Sequence, residues 1–389
     1  MSGQRRPRVD IVFERGHQPD PRVRRISHAL DDAGYRVRVL AWDRTGLLPA
    51  VEDDHGVEVR RVHVRSHNGR GAAQLLYLVR AVARYLPLIR ADRPDVLHAV
   101  DLPMLLAVVL MAPFAGRPRI VYDAFEIYSI MEAHKYPGWL LAAIGGLERI
   151  LPRFADVVLT VGEGRRAWFA TRGIRSTVVA NWIDPPADPP TRAAARRAYD
   201  IGPNRFAILY AGGLDPSRDL DPLLRHARRF PDDLILVAGS GSDEDRLMAA
   251  TADLVNVRFL GFLRDPTPVT IAADALYYAL RDDHPYAGHA APNNLYVAIS
   301  HGVPLLHRGQ GEIGVLARGH EIGARFHDDA TLDAAIDLLR DPATNERIRS
   351  SLRGLQARYS WARARSTLLS VYPFARSGTT ASSPRTNGP

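Results

Sequence analysis

Short runs of β-branched and other apolar residues recur along the first half of the chain, and segments with a helical pattern separate them. Seven such runs predict strands: RVDIVF (8–13), YRVRVLAW (35–42), VEVRRVHV (57–64), PDVLHAV (94–100), RIVYDAF (119–125), ADVVLTV (155–161) and STVVAN (176–181). The first two enclose PRVRRISHALDDAG, whose apolar positions recur three and four residues apart and which ends at Gly34. This is the pattern of an amphipathic helix. Strands that alternate with helices predict a parallel sheet covered on both faces.

The same alternation starts again after the proline-rich segment IDPPADPPTR. Six further runs predict strands: FAILYAGGL (206–214), DLILVAGSGS (233–242), VRFLGFL (257–263), DALYYAL (274–280), VPLL (303–306) and GARF (323–326). The sequence therefore predicts an α/β protein with two tandem Rossmann-like domains, facing each other across a cleft at the carboxyl ends of their strands. The predicted boundaries are 1–182 for the first domain, 183–192 for the linker and 193–360 for the second domain. Residues 375–389 have the small and polar composition of a disordered tail.

Composition narrows the function classes. A length of 389 residues fits two domains, and the absence of cysteine excludes disulfides and thiolate zinc sites. The N-terminus leads directly into a strand without an apolar signal core, so we expect a cytoplasmic protein. The most apolar stretch, MLLAVVLMAPF from Met104, is shorter than the roughly 20 residues that span a bilayer and predicts a buried helix.

The formal net charge of +8 lies entirely in the first half, because residues 1–182 contain 27 Lys and Arg against 19 Asp and Glu, whereas residues 183–389 contain 24 of each class. A solvated arginine-rich surface explains this excess, and so does an anionic acceptor or peripheral contact with the inner face of an acidic membrane. Nucleic acid is disfavoured, since the arginines are scattered without a recognition module or aromatic platform.

Two glycine-rich turns follow consecutive strands of the second half. In YAGGLDPSRDL (210–220), Gly212 and Gly213 permit close backbone approach, and Arg218 is predicted at the start of the next helix. This combination suits a diphosphate, although an ordinary turn with a surface arginine has the same pattern. In AGSGSDEDRL (238–247), Gly239 and Gly241 form a GxG element without the third glycine, which is a weak dinucleotide fingerprint. Both turns are predicted at the same sheet edge.

A third segment, APNNLYVAISHGVPLL (291–306), predicts a helix with Pro292 at its first position, two asparagines after it and a stop at Gly302, before a strand. Such a helix start at the carboxyl edge of a parallel sheet suits a phosphate or a sugar hydroxyl.

Polar residues in the first half follow predicted strands or begin helices: Asp20, Arg22, His98, Asp101, Asp123 and Glu126. They can bind sugar hydroxyls or carry protons, but each aspartate can equally cap a helix. No glycine-rich loop follows the first strand, which disfavours an NAD-type oxidoreductase. No histidine pair or acid run has metal-ligand spacing, so metal-independent chemistry is expected.

In order, these segments resemble glycosyltransferase family 4, the retaining sugar-nucleotide-dependent enzymes of the GT-B fold. The likeness covers nearly the whole chain and is carried by PDPRVRRISHALDDAGYRVRVLAWDR, PDVLHAVDLPML, VVANWID, YAGGLDPSRDL, VAGSGSDEDRL, VRFLGFL, PNNLYVAISHGVPLL and YSWARARSTLLSVY. The last is similar to the C-terminal helix that crosses back onto the first domain in this family, which implies that residues 361–374 do the same here.

The resemblance implies that the second domain binds a nucleotide sugar of the UDP or GDP type, that the first domain binds the acceptor, and that no further cofactor is needed. The implied donor-binding residues are Gly212, Gly213, Arg218, Gly239, Gly241, Phe262, Leu263, Asp282, Pro292, Asn293, Asn294 and Leu295. The implied acceptor-binding residues are Asp20, Arg22, His98 and Asp101. The candidates for catalysis are Asp123, Glu126 and Arg218. The acceptor is expected to be a sugar or a lipid-linked or nucleotide-linked molecule.

Several positions depart from the family pattern. Asn294 and Val297 stand where the family usually has lysine and glutamate, Phe125 stands where many relatives have histidine, and Gly213 replaces a usual arginine. Valine accepts no hydrogen bond from a ribose hydroxyl. The leading hypothesis is a retaining hexosyl- or N-acetylhexosaminyl-transferase. The alternatives are a catalytically silent relative that stabilises a partner, and a sugar-nucleotide epimerase of the same architecture.

Overall fold

The computed structural model of the chain describes residues 5–15, 20–66, 73–133 and 136–374. The predicted disordered tail, 375–389, lies outside these residues. The chain divides into two compact units, of which the first comprises residues 1–180 and 365–389 and the second residues 181–364. Each unit contains a largely parallel sheet with helices between its strands. The prediction of an α/β protein with two Rossmann-like domains is confirmed.

In the described part of the chain, the sheet of the first unit has eight strands in the order β3-β4-β2-β1-β5-β6-β7-β8. They are β1 (Arg8–Phe13), β2 (Arg36–Asp43), β3 (Val51–Asp54), β4 (Val57–His63), β5 (Val96–Val100), β6 (Arg119–Ala124), β7 (Val157–Thr160) and β8 (Thr177–Val178). The pairs are parallel except β3 with β4, which are antiparallel. The strand VEDD at this edge was not predicted, because its side chains are mostly exposed and carry no apolar signal.

Within the described ranges, the α-helices that connect these strands are α1 (Pro21–Asp32), α2 (Ala73–Asp92), α3 (Asp101–Met111), α4 (Tyr128–Met131), α5 (Gly138–Ile150) and α6 (Glu163–Ala170). Short 3₁₀ turns follow α3 at Ala112–Phe114 and α5 at Leu151–Phe154. The apolar stretch from Met104 lies in α3, as predicted, and Met104, Leu105, Val108 and Met111 are buried. No helix among the described residues is long and apolar enough to cross a membrane.

The sheet of the second unit has, within the described residues, six parallel strands in the order β11-β10-β9-β12-β13-β14. They are β9 (Ala207–Ala211), β10 (Leu234–Ala238), β11 (Val257–Gly261), β12 (Ala275–Tyr278), β13 (Leu305–His307) and β14 (Gly323–Arg325). The helices of this unit are α7 (Arg192–Ala198), α8 (Asp221–Arg229), α9 (Glu244–Ala250), α10 (Thr267–Ala272), α11 (Asn293–His301), α12 (Gly311–Ala317), α13 (Asp329–Arg340) and α14 (Pro342–Leu355), with a 3₁₀ turn at Ala287–His289.

The last helix, α15 (Trp361–Val371), starts in the second unit and belongs to the first from Arg365 onward. After it, the hydroxyl of Tyr35 donates to the carbonyl oxygen of Pro373 at 2.6 Å. Tyr372 is buried, and its hydroxyl lies 3.3 Å from Nδ1 of His98. These contacts fasten the end of the described chain to the first unit.

Candidate functional site

The predicted donor-binding residues gather at one edge of the second sheet. Because the strands of this sheet are parallel, their carboxyl ends lie at the same edge. Gly212, Gly239 and Phe262 directly follow the neighbouring strands β9, β10 and β11. The exposed fraction of Phe262 is 74%, whereas Leu263 is half-buried. An exposed aromatic ring at a sheet edge is available to stack on a flat ligand.

The two glycine-rich turns pack directly on each other. The amide of Gly212 donates to Ala238 at 2.9 Å, and that of Leu214 donates to Ser240 at 3.0 Å. A Cβ atom added to Gly239 would lie 1.8 Å from the Gly212 carbonyl oxygen, and one added to Gly241 would lie 2.0 Å from that of Leu214. The glycines of the second turn are therefore required by its contact with the first turn, independently of any ligand.

Arg218 lies in the loop that follows the first turn. The prediction that it begins the next helix is wrong, because α8 starts at Asp221 and residue 218 pairs across an isolated bridge with Leu280. Its Nη1 donates to the Tyr278 hydroxyl at 2.8 Å, and its Nε lies 3.3 Å from the Asp215 carboxylate. Burial lowers the pKa of Arg218, but the nearby hydroxyls and Asp215 raise it above its usual value. The guanidinium is thus a half-buried cation at the sheet edge.

The start of α11 lies against the end of β9. The side-chain amide of Asn294 donates to the carbonyl oxygen of Ala211 at 2.9 Å, so it holds the helix start beside the first turn. Asn293 is exposed and Leu295 is buried. Pro292 precedes the helix as its N-cap residue instead of occupying the first helical position as predicted, because its extended backbone, with ψ of 142°, places the first helical residue at Asn293. The predicted stop at Gly302 is confirmed, with φ of 63°.

Asp282 lies beyond the end of β12 and pairs with Arg308. Its carboxylate also accepts a bond from the side-chain amide of Gln310 at 3.0 Å. Arg308 pairs in addition with Asp219 at 2.5 Å. Sequence reasoning missed Arg308, Gln310 and Tyr278, although a signal existed for the first two, since HRGQ (307–310) is a polar run that begins at the last residue of the buried strand β13.

In the first unit, Asp123 and Arg22 form a buried ion pair. The two nitrogens Nε and Nη2 of Arg22 lie 3.0 and 2.7 Å from the two carboxylate oxygens, and Nη1 donates to the carbonyl oxygen of Val179 at 2.5 Å. Burial would raise the pKa of Asp123, but Arg22 and the imidazole of His98, 3.6 Å away, lower it to about 2. Phe125 lies beside the pair, with its ring centre 4.9 Å from the guanidinium carbon of Arg22.

Asp101 and Glu126 lie together beyond the ends of β5 and β6. Asp101 has φ of 64°, a conformation that is uncommon for a residue with a side chain. Its carboxylate accepts bonds from the amides of Phe125 and Glu126 at 3.0 and 3.1 Å. Burial and the nearby carboxylates of Glu14 and Glu126 raise the pKa of Asp101 well above its usual value. Glu126 pairs with Arg165 at 3.0 Å.

Asp20, the remaining acceptor candidate, is the N-cap residue of α1. Its carboxylate accepts bonds from the amides of Arg22 and Val23 at 2.9 and 3.1 Å. This is the ordinary capping role that the sequence left open. Sequence reasoning also missed Glu14, a buried carboxylate after β1 that accepts a bond from the Tyr128 hydroxyl at 2.8 Å. Among the described residues, no group of three or more His, Asp or Glu is placed to hold a metal ion.

Comparisons with known proteins address the family and the fold. Residues 19–182 match the family described as glycosyl transferase 4-like domain. A curated D-inositol 3-phosphate glycosyltransferase of Mycobacterium sp. (strain KMS) is 30% identical over 173 residues, which cover 41% of this chain and 38% of that relative. The chain therefore matches less than half the length of this relative.

Two solved structures are similar over almost the whole chain. Sucrose-phosphate synthase from Thermosynechococcus elongatus matches with a TM-score of 0.76 and 15% identity, covering 94% of this chain and 98% of that one. The Anabaena protein HepE in complex with UDP and glucose matches with a TM-score of 0.71 and 15% identity, covering 93% of this chain and 98% of that one. At such identities the likeness concerns the fold, which is GT-B.

Proposed function

We propose that this chain, which has the GT-B fold and matches the glycosyl transferase 4-like family over residues 19–182, is a retaining glycosyltransferase that moves a hexosyl or N-acetylhexosaminyl group from a nucleoside diphosphate sugar to an acceptor hydroxyl. In this proposal the second unit binds the donor and the first unit binds the acceptor. The observation that carries it is the Arg218 guanidinium, which contacts Tyr278 and Asp215 in the loop that continues from the Gly212–Gly213 turn at the carboxyl edge of the second sheet.

In this proposal three backbone amides and one side chain donate hydrogen bonds to the diphosphate. The amides of Gly212 and Leu214 are used between the two turns, whereas that of Gly213 has no protein acceptor within the described residues. The amides of Asn293 and Asn294 in the first turn of α11 are likewise without protein acceptors there, as is normal for a helix start. Such amides bind phosphate oxygens.

Arg218 supplies the cation. Its Nη1 and Nε contact Tyr278 and Asp215, which leaves Nη2 as the nitrogen available to a ligand. When the sugar departs, negative charge grows on the phosphate oxygens, and fixed amides with a nearby guanidinium stabilise that charge. A transfer on the same face of the sugar can use the leaving phosphate as base. The protein therefore needs mainly to bind the two substrates and orient them.

Two carboxylates of the first unit, Asp123 and Glu126, have different roles in this proposal. Asp123 is occupied by Arg22, so in this proposal it fixes the α1 start and the end of β6 and accepts no proton. Glu126 retains partial exposure, with 28% of its side chain accessible, and is the better candidate to orient an acceptor hydroxyl. Because the curated relative is named for inositol 3-phosphate, a phosphate-bearing polyol belongs in the first acceptor panel.

Calorimetric titration with UDP, GDP and ADP tests the donor site. We expect one of them to bind, and we expect Arg218→Ala to weaken that binding by roughly 10- to 100-fold, because a hydrogen bond to a charged group contributes about 1.5–3 kcal/mol. The control is Arg228→Ala, an exposed arginine on α8 that pairs with Asp253. Equal losses in the two variants, or no loss in Arg218→Ala, would remove Arg218 from the site.

The same preparation separates the alternatives. The transferase predicts release of the nucleoside diphosphate only with an acceptor present, and a product with the anomeric configuration of the donor by NMR. Absence of nucleotide binding at millimolar concentration would instead favour a silent relative, an outcome motivated by Val297, whose side chain accepts no hydrogen bond. Conversion of the donor to an epimer without acceptor would favour an epimerase.

A further inference from the structure

An exposed apolar surface runs along α5 and the 3₁₀ turn after it. Trp139 and Ile150 of α5 are 73% and 54% exposed, and Phe154 of the turn is 57% exposed. Trp139, Ala143, Leu147 and Ile150 share one side of the helix, since residues three, four or seven apart are neighbours on a helix surface. An exposed tryptophan within a row of apolar side chains is unusual on a soluble domain and marks an interaction site.

The opposite side of α5 holds the helix in place. Glu148 is buried, and its carboxylate accepts bonds from the amides of Tyr128 and Ser129 at 2.5 and 3.3 Å. Leu151 and Pro152 of the following turn are buried as well. The exposed apolar side chains of α5 are therefore not needed to hold the helix in place.

The apolar surface continues onto the end of α3. This helix packs against the turn that follows α5. Leu110 near the end of α3 and Phe114 of the 3₁₀ turn after it are exposed, while Met111 and Ala112 between them are buried. We call the exposed side chains of these elements the α5 surface. It consists of Leu110, Phe114, Trp139, Leu147, Ile150 and Phe154.

Arginines flank the α5 surface. Arg117, Arg149 and Arg153 are exposed, and within the described residues none of them has a carboxylate partner. Arg153 donates instead to backbone carbonyl oxygens, including that of Arg172 at 3.1 Å. The one acidic residue of α5 is Glu148, which is buried against backbone amides. The outer side of this region is thus apolar and positively charged.

We propose that the α5 surface docks the protein on an anionic lipid bilayer, a role that does not depend on the proposed glycosyl transfer. Tryptophan and aliphatic side chains favour the boundary between headgroups and acyl chains, and arginines beside them bind anionic headgroups. The charge argues against a second copy of the chain as the occupant, because a symmetric contact would bring the same unpaired arginines together. The protein lies on the bilayer through α5 without spanning it.

Vesicle flotation tests this proposal with the full chain and no nucleotide. We expect the protein to float with phosphatidylcholine vesicles containing about 30% phosphatidylglycerol and not with phosphatidylcholine alone, since arginines respond to anionic lipid. The triple variant Trp139→Ser, Ile150→Ser, Phe154→Ser is expected to lose binding at least about tenfold. Its matched control replaces three exposed apolar residues elsewhere, Leu47, Val255 and Leu338, with serine and is expected to float like the wild type.

A charge variant tests the electrostatic part. Arg149→Gln with Arg153→Gln is expected to weaken flotation severalfold, whereas the exposed pair Arg228→Gln with Arg318→Gln is expected to leave it unchanged. Circular dichroism spectra confirm that each variant is folded. The proposal fails if the wild type binds neither vesicle, if the triple variant floats like the wild type, or if anionic lipid makes no difference. It also fails if light scattering shows a dimer that the triple variant loses while vesicles stay unbound.

Discussion

The side chains of Arg22 and Asp123 lie 101 residues apart in sequence and meet in the core of the first unit. Both are almost inaccessible to solvent. Two charges taken out of water are tolerated because the guanidinium and the carboxylate form two parallel hydrogen bonds and Val179 takes up a third nitrogen of the arginine. Removing one partner leaves the other charge buried alone.

We therefore predict that Asp123→Asn lowers the free energy of unfolding by about 3–5 kcal/mol at neutral pH, the usual cost of breaking a buried pair. The measurement is urea denaturation followed by circular dichroism. Glu163→Gln is the control, because Glu163 pairs with Arg166 in an exposed i,i+3 bridge that contributes at most about 1 kcal/mol.

The difference in unfolding free energy between wild type and Asp123→Asn depends on pH in a defined direction. The pKa of Asp123 is lowered from 3.8 to about 2 in the folded protein. The carboxylate therefore stabilises the fold fully above pH 3.8 and loses this contribution as the pH falls toward 2. The gap between wild type and Asp123→Asn should be constant from pH 7 to 5 and narrow below pH 4. A gap that widens on acidification would contradict the assignment of the pair.

Single residues were only partly predictable. The sequence indicated that Asp20, Arg22, His98, Asp101 and Asp123 follow strands or begin helices, but not which of them bind each other. Asp20 caps its own helix, which a local pattern allows, whereas the partner of Asp123 is an arginine 101 residues away that no local pattern reveals. Whether these residues bind an acceptor stays a prediction.

At the scale of elements, the second sheet edge is built from two turns that require glycine for their mutual contact. Gly239 and Gly241 lie where any side chain would meet the backbone of residues 212 and 214. The position of the Gly213 amide, and with it the proposed phosphate site, depends on this packing. A substitution in the second turn should therefore shift the backbone of the first turn.

Gly241→Ala tests this coupling. We expect it to lower the free energy of unfolding by about 1–3 kcal/mol, as overpacking does, and to weaken nucleoside diphosphate binding although residue 241 contacts no ligand in the proposed site. The control is Gly354→Ala in α14, where nothing lies within 4 Å of the added Cβ atom and a gain of about 0.5–1 kcal/mol is expected. Unchanged stability and unchanged binding in Gly241→Ala would show that the turns are not coupled in this way.

Most helices and strands could be predicted from the sequence, because the spacing of apolar residues in a strand or a helix follows from which of its faces is buried. Each predicted run overlaps a strand. The exceptions have physical reasons: β3 is a polar edge strand, and Arg218 precedes its helix because residues 217 and 219 bond to residues 281 and 279. Such bonds depend on tertiary contacts that no local period reveals.

At the scale of the whole molecule, two α/β units of a GT-B protein follow from a pattern that occurs twice along the chain. The order of the motifs, more than any one of them, indicated the family, and the match to residues 19–182 agrees with it. The identity of donor and acceptor is not readable in the same way. It depends on a few side chains, and the departures from the family pattern that the sequence indicates at Gly213, Asn294 and Val297 stay a prediction.

The central claim is that the second unit binds a pyrophosphate with backbone amides and one guanidinium. A crystal structure of the protein with the nucleoside diphosphate identified by calorimetry tests it most directly. We predict phosphate oxygens within about 3 Å of the Gly213 amide and of a guanidinium nitrogen of Arg218. A nucleotide bound elsewhere, or an Arg218 that keeps only its contacts to Tyr278 and Asp215 while the phosphates lie beyond its reach, would contradict the account.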